Sequence, residues 1–481
     1  MDIPIDLNRE EDFLVEAMID TGDNFIDFIP CRVYLPERFY EKPYLLFESN
    51  IDTAEKMITS EKKSFKAVKG GITIEASEIY FSGFFSGRNG KLTKTTFPGE
   101  PQDLHIIEQR PSVNIDNKTH IFFWISQNKL LTPKLLLVPL DTGEVFRKDI
   151  QGLSFIIGNN LEVVFDKRFN YKKEKNGDTK RWSFLVASTG IDISASDAKA
   201  IKNGVLQKID DFLLLASFAT KRRTACLGWS AIDRHVHTKF YRGYYSFPQP
   251  DDSDELEDGI IENGDFKTFM ESSYSLFLNF NNKDAFRKIL HAAVPSKNRI
   301  LESSFLNMFA GLESLVLDFR RGYGMEFILP ESSWKSFKDY LEKCIKNSTE
   351  PIIEKNQRKM IYSKLNELNR VSLKEAFDAF CEHYSVELAD LWPVFAENRK
   401  SVSLSDIRNK IIHGDPFPSR LIKPLIVAHE HLEYVFQRMI IRVLGWSIDK
   451  TNLNKVHYNS IKDMPQAMQK LSIFIKLGES Y

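Results

Sequence analysis

Arg408, Asn409 and His413 lie in the run Ser405-Asp-Ile-Arg-Asn-Lys-Ile-Ile-His-Gly-Asp-Pro of a 481-residue chain, with four residues between the arginine and the histidine. A guanidinium is charged at every physiological pH and presents a planar fork of N–H donors, which suits Arg408 to holding a phosphate and the charge that develops on it. Imidazole exchanges protons near neutral pH, so His413 is a candidate general acid or base. Its place at the end of a predicted helix favours the imidazolium, and the acid role is as well supported as the base role. Such a pair requires no metal: attack by a ribose 2′-hydroxyl would leave a 2′,3′-cyclic phosphate and a 5′-hydroxyl, and DNA would be spared. The plainer alternatives are a surface ion pair of Arg408 with Asp406 or Asp415 and a helix-capping role for His413.

Glu313 joins this set from another segment. It follows Phe309 by four residues and precedes Val316 by three, on the margin of an apolar stripe. An unpaired carboxylate there would be costly to bury, so a cationic partner is expected, and Arg408 is the candidate. The alternative is a Glu on the solvent edge. Asn409 would position either the phosphate or the Arg408 side chain, the alternative being a hydrogen bond within the helix. Five steps of about 100° set Arg408 and His413 about 140° apart, so a single helix aims them poorly at one phosphate.

The elements that must carry these residues are helices. Leu404, Ile407 and Ile411 form the stripe of a short helix over 404–412, stopped by Gly414 and Pro416. Spacings of three and four predict further helices over 269–280, 286–293, 301–319, 334–344, 352–365, 373–384, 390–399, 421–444 and 461–474. The first half differs. Short β-branched and aromatic runs such as Gly71-Ile-Thr-Ile-Glu-Ala and His120-Ile-Phe-Phe-Trp-Ile recur between turn residues and predict an antiparallel sheet. A helix near 195–218 covers that sheet. The expected organisation is a β-rich domain over 1–220, an irregular connector over 221–264 and an all-α domain over 265–481, an α+β multidomain chain.

Composition narrows the function classes. With 65 Lys and Arg against 66 Asp and Glu, the chain is no polycationic nucleic-acid binder, although a local basic surface is compatible with it. Cys31, Cys226, Cys344 and Cys381 form no C-x-x-C pair and support neither a zinc finger nor a disulfide framework. No basic leader opens the sequence and no run of about 18 apolar residues occurs, so a cytoplasmic protein off the membrane is expected. The acidic run Asp251-Asp-Ser-Asp-Glu-Leu-Glu-Asp reads as a solvated linker, or alternatively as a mask over a cationic cleft. His235 and His237 are expected on one strand face near Cys226, without a third metal ligand at a convincing spacing. His429 and His431, two apart on a helix, diverge and read as solvent or interface residues. Lys221-Arg222-Arg223 and Lys172-Lys-Glu-Lys175 read as solvated turns, and the aromatic stretch 240–247 as core, with base stacking the sharper alternative.

The Arg408–His413 spacing, the Asn409 after the arginine and the all-α setting resemble the R-x4-6-H motif of the HEPN superfamily; among these, the ApeA-like antiphage proteins join a divergent β-rich region to a C-terminal HEPN domain. The likeness spans about residues 265–450, including the helix around Phe305-Leu-Asn-Met-Phe-Ala-Gly-Leu-Glu-Ser-Leu; over 1–220 it is architectural only. It implies an all-α HEPN bundle and a metal-independent endoribonuclease of antiphage or abortive-infection type, without cofactor. It further implies RNA as substrate, tRNA among the candidates, Glu313 orienting Arg408, a homodimer whose two motifs share one cleft, and an N-terminal domain that senses a phage-derived trigger or restrains the nuclease. The rivals are a catalytically silent HEPN module that binds RNA or protein, and a carbohydrate- or peptide-binding β-domain assembled by its helices.

Overall fold

A computed structural model describes residues 11–22, 25–36, 42–59, 63–81, 85–89, 92–112, 117–139, 145–151, 153–158, 160–173, 179–243, 259–294, 300–348, 351–396, 401–414, 417–454 and 463–476. The chain separates into a β-rich unit, 1–220 with 224–257, and a helical unit, 221–223 with 258–481.

The β-rich unit begins with β1 (Phe13–Asp20), β2 (Phe25–Tyr34), β3 (Tyr44–Ser49), α1 (Ile51–Thr59), β4 (Ser64–Lys69), β5 (Ile72–Phe81), β6 (Phe85–Asn89) and the long β7 (Leu92–Gln109). Antiparallel pairing in the order β7-β3-β2-β1-β4-β5, with β5 returning to β7, closes six strands into a barrel. Closure passes through Gly99, which is in register with Leu45 of β3 and with Phe81 of β5. A Cβ there would stand 2.8 Å from Ile79 Cγ2, so only glycine fits. Phe47, Phe65, Phe81 and Phe97 fill the interior, with the Phe47 and Phe97 rings stacked at 5.4 Å.

Beyond it lie β8 (Thr119–Ile125), the β9 (Lys134–Pro139) and β10 (Val145–Gln151) pair, β11 (Leu153–Ile157), β12 (Leu161–Lys173) and β13 (Thr179–Ile191). The covering helix follows as α2 (Ala198–Ala200), a π-helical turn (Ile201–Leu206) and α3 (Gln207–Thr220). Phe212 of α3 packs on Phe155 and Phe165 at 4.9 and 5.7 Å, so this helix covers the sheet as its spacing predicts.

The expected connector over 221–264 is not irregular throughout. It contains β14 (Cys226–Ile232) and β15 (Val236–Arg242), which complete the order β11-β12-β13-β8-β14-β15-β7 and belong to the β-rich unit. Their partners β8 and β7 lie more than 100 residues upstream, and such pairing leaves no local periodic signal. Phe240 is buried and Tyr241 partly so, as core residues of β15; 244–247 and the acidic run 251–258 lie outside the described residues, as do Lys175 and the side chains of Lys172 and Lys173.

Nine α-helices are described in the helical unit: α4 (Phe266–Leu278), α5 (Lys283–Ala293), α6 (Leu301–Gly322), α7 (Glu331–Lys346), α8 (Lys355–Leu365), α9 (Leu373–Tyr384), α10 (Leu404–Ile412), α11 (Ile422–Val443) and α12 (Met464–Lys476). No helix among the described residues is long and apolar enough to cross a membrane. The core joins α6, α5, α9 and α11. Gly311 permits the close approach of α6 and α11, because a Cβ would meet Phe436 Cζ at 2.6 Å. Of the helix expected over 390–399, the described residues 390–396 form none, and 397–399 lie outside the described residues. Its apolar residues Leu391, Trp392 and Val394 are buried, but in irregular backbone. Pro393 lacks a donor, and the Trp392 indole and backbone N–H groups donate instead to Val402 O at 3.0 Å and His431 Nδ1 at 3.3 Å.

Candidate functional site

Helix α10 starts at a capping box in which Ser403 Oγ accepts from Asp406 N–H and the Asp406 carboxylate accepts from Ser403 N–H. Leu404 and Ile407 are its buried residues, and it packs on α6 and α12. The other end is closed by Gly414, whose φ of +78° suits glycine, and whose N–H donates to Ile411 O at 3.0 Å. Arg408 therefore sits in mid-helix and His413 at the C-cap, where its backbone N–H donates to Asn409 O at 3.0 Å.

Arg408 reaches across to α6. Its Nη2 lies 3.2 and 3.3 Å from the two carboxylate oxygens of Glu313, and Nη1 donates to Asn409 Oδ1 at 3.0 Å. The guanidinium carbon stands 5.8 Å from the centroid of the Phe309 ring, one helical turn before Glu313. Side-chain exposures of 31% for Arg408 and 23% for Glu313 leave the fork open to solvent on one side. Carboxylate, amide and ring thus hold the guanidinium from three directions while part of its donor set stays available.

His413 is exposed, and its side chain has no partner among the described residues. No contact joins it to Arg408 among the described residues: the arginine is engaged by Glu313 of α6 and by Asn409, while His413 is exposed at the C-cap. Asp406 is not the arginine's partner either. It is bound by Ser403 and, at 3.0 Å, by Lys476 of α12. Burial would raise its carboxyl, but the bonds from the Ser403 backbone and hydroxyl and from Lys476 hold it below its ordinary value. Asp415 and Pro416 lie outside the described residues.

The other histidine pairs fall differently from expectation. His431 is an interior, not a surface, residue: it is fully buried and accepts from Trp392 N–H, while the partly buried His429 has its Nε2 2.9 Å from Ser304 Oγ, tying α11 to α6. Burial lowers the His429 pKa. His235 is exposed in the turn before β15, so it does not share a strand face with the buried His237. Among the described residues no group of three or more His, Cys, Asp and Glu side chains converges as a metal set would.

His237 sits in a polar side-chain cluster that spacing did not reveal. Its Nε2 is 2.8 Å from Ser230 Oγ, its Nδ1 is 2.7 Å from Arg110 Nη2, and Glu108 Oε2 lies 3.5 Å away. The set superficially resembles a Ser–His–Glu triad, but a guanidinium only donates, so Nδ1 accepts and Nε2–H donates to Ser230. That tautomer cannot take a proton from the serine. Burial foremost, then Arg110 and Lys239, lower the His237 pKa to about 4. The cluster is a satisfied structural network.

Phe309 under the arginine is a residue that motif reading missed; its signal was the i, i+4 spacing to Glu313 on the same helix. No family model, no curated protein and no solved structure matches this chain.

Proposed function

We propose that the chain is a HEPN-type, metal-independent endoribonuclease of ApeA-like antiphage character, with Arg408 and His413 as catalytic residues, Asn409 beside the phosphate and Glu313 orienting the arginine. The observation that carries the reading is the Arg408 guanidinium, held by Glu313 and Asn409 with about a third of the side chain open to solvent, on the helix whose C-cap is an exposed His413. The permanently charged fork binds the scissile phosphate and the charge growing on it. The ribose 2′-hydroxyl gives up its proton to solvent water as its oxygen bonds to phosphorus, the bond from phosphorus to the 5′-oxygen breaks, and the products are a 2′,3′-cyclic phosphate and a 5′-hydroxyl. His413 as imidazolium delivers the proton to the leaving 5′-oxygen. Arg408 and His413 of one helix diverge, so the reading includes a homodimer in which two motifs face one cleft, in the cytoplasm, with the β-rich unit sensing a phage-derived trigger.

The second reading is a catalytically silent module, and it too rests on an observation: the Arg408 fork is engaged by Glu313, as in a structural staple between α10 and α6. Incubating the protein with total tRNA and mRNA in EDTA separates the two. Fragments with cyclic phosphate ends that vanish in His413→Ala support the enzyme; binding without fragments leaves the silent module.

A further inference from the structure

The side chains of α10 divide by flank. At about 100° per residue and counting from Arg408, Ile412 stands at about 40°, Asn409 at about 100° and His413 at about 140°, and all three are exposed. Asp406 and Lys410 follow at about 160° and about 200°, on the flank that meets α12. Arg408, at the origin, is on the flank that meets Glu313 of α6. His413 is therefore separated from Lys410 by about 60° and from Arg408 by about 140°. The exposed imidazole borders the α12 flank more closely than the arginine's.

Two aromatic rings lie on that flank. Phe474 of α12 and Phe417, just beyond the end of α10, have ring centroids 5.4 Å apart at an interplanar angle of 51°, and both residues are only partly buried. Lys410 Nζ stands 5.3 Å from the centroid of the Phe474 ring. The last turn of α12 is fixed against α10 as well, because Lys476 Nζ lies 3.0 Å from Asp406 Oδ1 while the Ser403 backbone N–H donates to Oδ2 of the same carboxylate. The carboxylate that caps the motif helix thus also sets the position of Phe474, two residues before Lys476. Partly open rings beside a lysine offer an unpaired nucleotide what it needs, an apolar plane for the base and a cation for the phosphate.

We infer that Phe474, Phe417 and Lys410 form a nucleotide subsite beside His413, in which a base of single-stranded RNA stacks on the rings and Lys410 meets the phosphate of that nucleotide. The inference rests on the reading of Arg408 and His413 as the cleavage pair. A strand held at these two residues crosses the exposed side of α10, a helix about 10–12 Å wide with its side chains, and its neighbouring nucleotide comes to the α12 flank. Every base has a face that stacks on phenylalanine, so the subsite adds affinity for unpaired RNA without selecting a sequence. A base paired within a duplex is already stacked and gains nothing there.

The test uses the full chain carrying His413→Ala, so that RNA stays intact, and two fluorescein-labelled strands of about 12 nucleotides, oligoadenylate and a fully abasic ribose-phosphate strand, followed by anisotropy. Adding Phe474→Leu, which keeps an apolar side chain, is expected to weaken oligoadenylate binding on the order of tenfold and to leave the abasic strand unchanged; the abasic strand also reports that the variant is folded. Lys410→Gln should weaken both strands by the same factor and reduce the salt dependence, and Lys410→Arg should restore both. No binding of oligoadenylate, binding that survives Phe474→Leu, or tighter binding of a duplex of the same length would overturn the proposal. So would an equal loss for both strands on Phe474→Leu, which assigns the rings to packing α12 on α10. Cleavage is scored separately with His413 intact. Ring-dependent binding without fragments supports the subsite while the ribonuclease reading fails, and fragments with ring-independent binding overturn the subsite alone.

Discussion

His237 in the β-rich unit and His413 in the helical unit carry the same ring in opposite circumstances. His237 is buried, both ring nitrogens are engaged by Ser230 and Arg110, and its tautomer is fixed by a partner that can only donate. His413 is exposed at a helix end with its ring unengaged among the described residues. A satisfied buried network contributes rigidity and has no hydrogen-bonding capacity left for a substrate. An accessible imidazole contributes little to stability and keeps both nitrogens for chemistry. The cluster with the denser set of contacts is therefore the worse candidate for a catalytic site.

The contrast is broken or sharpened first by deletion at the helical site. His413→Ala and Arg408→Ala should each lower RNA cleavage by about 10²–10⁴-fold, with the double variant no worse than either single one, because residues acting as a unit do not partition. Thermal unfolding of His413→Ala should match the wild type. Near wild-type cleavage by His413→Ala would remove the site.

Deletion in the β-rich unit should do the reverse. His237→Ala leaves Ser230 and Arg110 without their partner and should cost roughly 2–3 kcal/mol, read from urea unfolding of the full chain, while cleavage by the folded fraction persists. Stability unchanged by this substitution would mean that the cluster is not the staple its geometry indicates.

Acid reads the same network without mutation. The folded pKa of His237, about 4, lies below the unfolded value of about 6.5, so protonation favours the unfolded chain. Its contribution is fully present above pH 6.5 and is lost as pH falls toward 4, at up to about 1.4 kcal/mol per pH unit. His237→Gln should flatten stability across that window, and an unaltered slope would assign the acid sensitivity to other groups.

The smallest effect belongs to Glu313→Gln. The Arg408 pair is about one-quarter to one-third exposed, so removing its charge should cost under about 1 kcal/mol of stability. If Glu313 orients the arginine, cleavage should nonetheless fall on the order of tenfold, chiefly in kcat. A stability loss with unchanged kcat would make the carboxylate a staple only.

Several features were legible from local pattern. The bounds 404–412 of α10 and 373–384 of α9 follow from stripes and caps within one or two turns, and the margin position of Glu313 announced a cation that the structure supplies as Arg408. The covering helix, the half-buried β8 and the Arg–His spacing were likewise written in consecutive residues.

Tertiary structure decided the rest, because burial and pairing depend on partners distant in sequence. Leu391, Trp392 and Val394 have the apolar content of a helix, but Pro393 and the bonds from Trp392 to Val402 and His431 leave them in irregular backbone. His431 is interior because Trp392 covers it, and β14 and β15 are strands because β8 and β7 wait more than 100 residues upstream. The amphipathic spacing of α7 resembles that of the core helices, and only the fold leaves it without a buried residue. Periodicity fixes which side of an element is apolar; what covers that side is set by the rest of the chain or by another molecule.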